Sequence, residues 1–542
     1  MTNKEIARYF NKLAKIMELH KENPFKIRSY SNAYLSLRKV EKPFTETPEA
    51  EIAAIKGVGK AIADKIQELI QTGELKTYKR YEEITPPGII EMLTIKGFGP
   101  KKIYVIWKDL EIETIGALLY ACNENRLIDL KGFGQKTQAT LKKQLEYYLD
   151  SQGKYLYDHV AGHADALENK IKEAFPDEKI ALVGLVKRMM PEVKGIDILS
   201  TVEDQKIINV VDGLQLDEDG SILQYESYPV FIHQTSEGSF GTEAFKMNSG
   251  QDFLDQFSSI PDVQEEEEVF SALDLAYVHP EYRESETAYE QAKSNSLPQL
   301  IETSDIKGVV HNHSTFSDGL HTVAEMASEC MRLGYEYFVI SDHSKAAFYA
   351  NGLSEDRVFQ QMEEIDALNK TYNNFRIFKS IECDILNDGS MDYGNDFLKE
   401  FEVVIASIHT NLKMDEAKAN TRLLKAIENP HTHILGHPTS RLLLAREGYP
   451  IDHALIIDAC AANNMVIELN ANPARLDVDW SWIPYALEKG VKISINPDAH
   501  SKDQIRYIEA GVCAARKGGL TKEMCLNALG LEEFGKWVGS LA

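Results

Sequence analysis

In HNHSTFSDG, residues 311–319, His311 and His313 flank a single residue and Asp318 follows five positions past the second. Two imidazoles and a carboxylate so close together can begin a metal site, although an HxH alone serves equally well as an ordinary strand end. The sequence that follows repeats the theme. Strand-like runs, among them GVVHNHS, YFVISDHS, FRIFKSIECDI, FEVVIASIHT, HILGHP and VKISINPDAH, alternate with helix-like ones. One after another they run into His343, Glu382, His409, His437, and then Asp498 with His500. Any one of these residues would pass as a hydrogen-bonded core or surface group. Together they point to metal. Mixed imidazole and carboxylate donors suit Zn, Mn or Fe. Clustered divalent ions can clamp a phosphate, lower the pKa of a bound water towards about 7 and stabilise a leaving oxygen. The catalytic group expected here is therefore a metal-bound water. His321, His431 and His433 lie nearby and read as bystanders.

Ligands at the ends of alternating β and α runs imply a β/α barrel, whose chemistry gathers at the C-terminal ends of its strands. The rest of the chain is organised differently. Residues 1–150 have the three-and-four spacing of amphipathic helices, as in IARYFNKLAKIMEL and AIADKIQELI. Within them a repeat recurs: IKGVGKAIADKI at 55, IKGFGPKKIYVI at 95 and LKGFGQKTQATL at 130. Residues 178–236 hold short β-rich runs, KIALVG, GIDILS, KIINVV and YPVFIH. PDVQEEEEVF at 261–270 reads as an exposed loop or a helix start, and 284–304 as a connector.

The bulk numbers fit this division. A chain of 542 residues, 43% hydrophobic and 26% charged, suits three or four domains with ample core. It has no apolar run long enough for a membrane span and no signal-peptide core in MTNKEIARYF. The six cysteines form no CxxC or regular framework, which suits reduced thiols. A cytoplasmic, nucleoid-associated monomer with no membrane partner is expected. The net charge of -25 argues against a generic nucleic-acid coat protein. Residues 1–150 nevertheless carry 25 Lys and Arg against 20 Asp and Glu, so the basic end can meet a phosphate backbone.

Each glycine repeat resembles a helix-hairpin-helix motif. Glycine lets the backbone approach a phosphate closely, and the N–H groups of the turn and of the next helix then face the anion. The key pairs are Gly57/Gly59, Gly97/Gly99 and Gly132/Gly134, with Lys60, Lys101, Lys102 and Lys136 adding phosphate contacts. From 305 to 542 the ligand pattern resembles the PHP (polymerase and histidinol phosphatase) domain, a distorted seven-stranded β/α barrel with three metal ions. All nine ligand positions of that family are filled here. The resemblance implies that His311, His313, Glu382 and Asp498 hold one ion. Glu382 then bridges to a second ion, held with His409 and His437, and Asp318, His343 and His500 hold a third.

The order of parts resembles family X DNA polymerases of the bacterial and archaeal type, which carry a C-terminal PHP domain. NPFKIRSYSNAY at 23–34 is similar to the start of their eight-kilodalton domain, and YVHPEYRE at 277–284 to the end of their thumb. The expected fold is multidomain. Residues 1–85 form a helical DNA-binding domain and 86–152 a fingers-like one, carrying three helix-hairpin-helix motifs between them. Residues 153–290 form an α+β nucleotidyltransferase-like palm and thumb, 291–304 a linker, and 305–542 the barrel. Lys65 matches the Schiff-base lysine of DNA polymerase beta, and a solvated helix lysine is its plainer reading.

The palm departs from the family pattern, G-S-x-R-R-x(6)-D-x-D. In GLVKRMMPEVKGIDIL, residues 184–199, Gly184, Arg188 and Asp197 match. Leu185 replaces the serine and Gly195 the first carboxylate, and Pro229 or Val230 stands where the third would be. Glu192 is on the wrong strand phase to substitute. Nucleotide transfer with two Mg ions needs those carboxylates. The expectation is a repair-type DNA nuclease on gapped, recessed or abasic DNA, working as a 3′-5′ exonuclease or an abasic-site endonuclease, with a vestigial polymerase site. The rivals are an active polymerase with a proofreading barrel and a small-molecule phosphatase.

Overall fold

A computed structural model describes residues 1–541 apart from 2, 41, 96, 97, 129, 131, 151, 152, 218, 219 and 221, and omits the side chains of 4, 147 and 150. The chain divides into two compact units. One is 1–123 with 127–149, and the other is 124–126 with 150–542.

The first unit is helical among its described residues. Each of its repeats leads into a helix: α1 (Lys60–Thr72), α2 (Pro100–Asp109) and α3 (Gln135–Asp150). The apolar stripe of α1, Ile62, Ala63, Ile66 and Leu69, is buried, as are Ile103, Ile106 and Trp107 of α2. Burying those stripes fixes the rotation of each helix, and so fixes which way its N-terminus faces.

The second unit begins with a five-stranded sheet. Its strands are β1 (Ile180–Val183), β2 (Ile196–Ser200), β3 (Leu214–Leu216), β4 (Leu223–Tyr225) and β5 (Tyr228–Gln234), in the order β1-β2-β5-β4-β3. The run KIINVV is not a strand. It lies in a helix, Asp204–Val210, with Ile207 buried against the palm core. Asp204 in its first turn favours a helix N-terminus, and tertiary packing overrides the β-branched run. The stretch read as a connector is partly ordered into a helix, Glu286–Lys293. Its Ala288 and Ala292 pack into a cluster with Phe245, Phe253 and Phe270. The glutamate run does start a helix, Glu267–Ala272, and Glu266 before it pairs with the fully buried Arg283.

The barrel follows. Seven parallel strands stand in sequence order: β6 (Gly308–Val309), β7 (Tyr337–Ile340), β8 (Arg376–Asp384), β9 (Val403–Ser407), β10 (Ile434–Leu435), β11 (Val466–Asn470) and β12 (Ile493–Asn496). A parallel bridge from Asn312 to Ala499 nearly closes the ring. Tyr337, Phe378 and Phe534 fill part of the interior, with Tyr337 and Phe534 stacked at 4.2 Å. Gly308 sits against that stack, and a Cβ there would lie 2.1 Å from the Tyr337 ring. The strands therefore enclose a packed core, and their C-terminal ends carry the polar residues. No described helix is long and apolar enough to cross a membrane.

Candidate metal centre and DNA-facing turns

All nine predicted ligands come together at the C-terminal ends of the barrel strands. Glu382, near the end of β8, is the hub. Its Oε1 lies 3.0 Å from His409 Nε2, 3.0 Å from His437 Nε2 and 3.2 Å from His311 Nε2, and its Oε2 lies 2.9 Å from His343 Nδ1. His313 Nε2 is 3.0 Å from Asp498 Oδ1. Asp318 stands 3.6 Å from His343 and 3.4 Å from His500. Donor atoms of His313, Asp318, His343 and His500 fall within 4.8 Å of one another, as do those of His311, His313 and Glu382, and those of His343, Glu382 and His409. The residues at Asp318 and His409 are partly exposed, but their side chains are only 7% and 4% accessible; the other seven are buried.

The backbone is bent to place these groups. His311 and Asp498 adopt positive φ of 62° and 50°, a region that non-glycine residues occupy at a cost of order 1–3 kcal/mol. The surrounding hydrogen bonds hold them there.

Burial pulls the His409 imidazole down, but Glu382 and Asp384 outweigh this and hold it up at about 10. Burial, followed by His500 and His343, drives His313 down to about 3. Burial alone would raise Glu382, yet His409, His311 and His343 hold its carboxyl well below the usual range. A divalent cation entering here would displace such shared protons. Several buried donor atoms also have no hydrogen-bond partner: His311 Nε2, His313 Nδ1, Asp318 Oδ2, both ring nitrogens of His343, Glu382 Oε2 and His500 Nε2. Unsatisfied buried polar atoms are costly, and a converging set of them is the chemistry of a cation site. The donor set fits divalent metal.

Further acids in the centre escaped the sequence reading, among them Glu124, which is fully buried and paired with His500 Nδ1. Glu468 on β11 receives His311 Nδ1 at 2.6 Å and the His437 and Asn496 N–H groups at 3.1 and 2.8 Å. Asp384 receives His409 Nδ1 at 3.1 Å. Asp342 is bonded by Ser314 N and Oγ at 2.8 and 2.6 Å. Glu468 and Asp384 fix which nitrogen of a histidine faces the centre. A charged residue inside the otherwise apolar run MVIELN was the available signal for Glu468. His433 is a bystander, as expected: its Nδ1 accepts the Val404 N–H at 2.9 Å, and burial lowers it to about 4.

In the palm, β2 and β5 run parallel with Asp197 beside Phe231. The same register sets Ile196 beside Val230, and neither Val230 nor Pro229 offers a carboxylate there; His233 Nε2 bonds Asp197 Oδ1 at 2.9 Å. A Cβ on Gly195 would meet the Pro229 carbonyl at 2.4 Å, so β5 leaves no room for a side chain at the first carboxylate position. Burial raises the Asp197 pKa, which His233 partly offsets. Asp197, His233, Lys194 and Phe231 line an open cleft of about 390 Å³. Arg188 reaches this cleft, but its guanidinium is paired with Glu284, bonding Oε1 from Nε at 3.0 Å. Lys517 Nζ joins the same carboxylate at 2.8 Å. Glu192 pairs with Lys154 on the short ladder with Tyr155–Leu156, away from Asp197.

In the helical unit, Gly59 and Gly99 are the N-caps of α1 and α2, and no side chain caps either helix. Both have φ of -90° and nothing within 4 Å of a built Cβ. The fold itself therefore does not require glycine at these two positions. Gly57, Gly132 and Gly134 have φ of 88°, 91° and 137°, where glycine is needed. Gly97 lies outside the described residues. Lys60, Lys101 and Lys136 are exposed, Lys102 lies 5.3 Å from the Phe133 ring, and Lys65 is half-buried on α1.

Comparison with known proteins agrees with this organisation. A helix-hairpin-helix domain model matches residues 1–75, and a SAM-like helix-hairpin-helix tandem model matches 89–146. The DNA polymerase/3′-5′ exonuclease PolX of Bacillus subtilis (strain 168) is 32% identical over an alignment of 565 residues that covers 98% of both chains. The chain belongs to the family X DNA polymerases that carry a PHP domain. This family X member is also 26% identical to a probable phosphatase of Thermoanaerobacter sp. (strain X514), over 40% of its own length and 88% of the relative. A probable phosphatase of Caldanaerobacter subterraneus subsp. tengcongensis is 25% identical, over 40% of this chain and 85% of that one. The polymerase-family member is an enzyme whose barrel is of the metal-dependent phosphoesterase class.

The nine-residue centre predicts that chelation lowers the melting temperature of the barrel and that Mn²⁺ restores it, because a ligand bound only to the folded state stabilises it. Glu468→Gln is expected to weaken Mn²⁺ affinity about 10- to 100-fold by titration calorimetry while keeping the fold. Identical melts with and without chelator would remove the metal assignment. The open space at Gly99 predicts that Gly99→Val leaves the melting temperature nearly unchanged but weakens DNA binding and flattens its salt dependence, since fewer phosphate contacts release fewer counterions.

Proposed function

We propose that this family X member acts mainly as a metal-dependent DNA phosphodiesterase, trimming 3′ ends through the barrel, and that its palm has lost nucleotide transfer. One observation carries the reading: nine intact donor residues, with Glu382 as their hub, gather at the strand ends of the barrel, while β5 closes the space at Gly195 in the palm. We propose His311, His313, Asp318, His343, Glu382, His409, His437, Asp498 and His500 as the holders of up to three Mn, Zn or Fe ions.

Bound divalent ions would supply Lewis acidity that polarises the phosphodiester and lowers the cost of ionising a water. The chain's own residues do the rest. Glu468 and Asp384 orient His311 and His409. Buried side chains around the centre limit water and strengthen every charge interaction within it. The uncapped N-termini of α1 and α2 offer N–H groups to the DNA backbone, with Lys60 and Lys101 beside them. The Bacillus subtilis relative is named as both a DNA polymerase and a 3′-5′ exonuclease, and the second of those activities is the one proposed for this chain.

Asp498→Ala and His409→Ala are expected to abolish Mn²⁺-dependent cleavage of recessed and gapped DNA while leaving affinity within about twofold. Wild-type cleavage by both variants would refute the assignment. In the Asp498→Ala background, where degradation cannot mask synthesis, no template-directed extension of a gapped primer is expected with Mg²⁺ or Mn²⁺. A loss of about 4 kcal/mol in transition-state stabilisation alone slows a reaction about a thousandfold. Extension that disappears on Asp197→Ala would establish an active palm instead.

A further inference from the structure

Phe348 is the most exposed large apolar side chain of the barrel domain, at 75%. It sits on a short 3₁₀ turn, Phe348–Ala350, that begins five residues after the ligand His343. Exposed apolar residues scattered over a surface need no explanation, but this one is the chain neighbour of a ring that packs against the centre. Tyr349 packs against His343 with ring centroids 6.5 Å apart, and Phe348 packs edge-on against Tyr349 at 5.8 Å. The exposed ring is thus two ring-to-ring steps from His343.

The turn is also held rigidly. Ser344 N–H donates to the Glu382 carbonyl and Leu353 N–H to the His343 carbonyl, at 3.0 and 2.9 Å. Ala346 N–H donates to Asp392 at 2.7 Å. Arg357 donates to the Asn351 carbonyl at 2.7 Å and also to the Phe316 carbonyl, tying the turn to the segment that carries His313 and Asp318. At Gly352 a Cβ would meet the Ser344 carbonyl at 1.9 Å, so the loop closes tightly on itself. Leu320, 48% exposed, lies two residues from Asp318, and its N–H donates to the His500 carbonyl at 2.8 Å. A second apolar side chain therefore stands next to another ligand.

The geometry points to Phe348 as a base-stacking residue: its exposed ring receives the nucleobase of the 3′-terminal nucleotide while that nucleotide's phosphodiester lies on the metal centre. This rests on the hydrolase reading of the same site. An aromatic face accepts any base, so the device selects for a base-bearing, unpaired end rather than for sequence. A paired terminal base is stacked on its neighbour and has no free face, so the residue favours frayed or single-stranded 3′ ends.

Two measurements on the full chain test this. In the first, a single-stranded oligonucleotide ending in 2-aminopurine is bound to the Asp498→Ala protein, which spares the strand. Stacking quenches the probe, and the quench is expected to vanish in Asp498→Ala/Phe348→Ala and to persist in Asp498→Ala/Phe348→Trp. In the second, cleavage is followed with Mn²⁺ on 3′ ends that carry either an ordinary base or a tetrahydrofuran abasic unit. Phe348→Ala is expected to raise KM about 5- to 100-fold on the first, with kcat nearly unchanged, and to leave the second unaltered. Equal quenching with and without Phe348, or an equal KM change on both ends, overturns the proposal. Quenching that depends on Phe348 in a protein that never cleaves would support the stack and strike down the hydrolase reading alone.

Discussion

A buried carboxylate shared among imidazoles is the constraint around which the second unit is arranged. Glu382 lies within 3.2 Å of ring nitrogens from His311, His343, His409 and His437. Taking one carboxylate out of water costs several kcal/mol unless charges and hydrogen bonds answer it. Each answering histidine comes from a different strand end, so the strands must keep their order and register for Glu382 to be tolerated at all. The second ring of acids follows from the same demand. Glu468 and Asp384 satisfy the far nitrogens of His311 and His409, which leaves the near ones pointing inward.

The parallel ladder explains why the pattern was readable in one dimension. A barrel strand emerges into its loop at its C-terminal end, so ligands recur at the close of each apolar run, and all nine could be picked out that way. Glu468 was passed over although it stands, like Glu382 in β8, two residues before the end of its strand: the polar residues Asn470 and Asn472 that close that run carry no ligand signal. Asp384 and Asp342 were hidden for a related reason: they bind ligands or neighbouring loops, and their spacing has no signature of its own. In the palm, KIINVV misled because its β-branched residues suit a strand, whereas its tertiary setting needs a helix that buries Ile207. The neighbour of Asp197 depended on register between β2 and β5, which is a property of two strands at once.

Two glycines of the palm and two of the helical turns differ in their surroundings. In the palm, Gly195 and Gly184 are glycine because neighbouring atoms fill the space where a side chain would begin: the Pro229 carbonyl at 2.4 Å in one case and Asp197 Oδ2 at 3.0 Å in the other. At Gly59 and Gly99 that space is open. A glycine crowded by its own fold serves packing, whereas one facing nothing leaves room for something outside the fold, and a phosphate backbone is a suitable occupant.

The Arg188–Glu284–Lys517 cluster bears on how such a protein can evolve. Arg188, a residue of the polymerase motif, is paired with Glu284, and Lys517 shares that carboxylate while donating to the Arg188 carbonyl at 2.9 Å. Lys517 is 2% exposed, so freeing Arg188 for another partner would leave buried charges unanswered. An Asp at 195 would put its Cβ 2.4 Å from the Pro229 carbonyl and so force β5 away from β2. Either change would therefore cost the fold stability, so a side chain at 195 or a freed Arg188 comes only with compensating changes around it: the palm is a set of interlocked positions that change together or not at all.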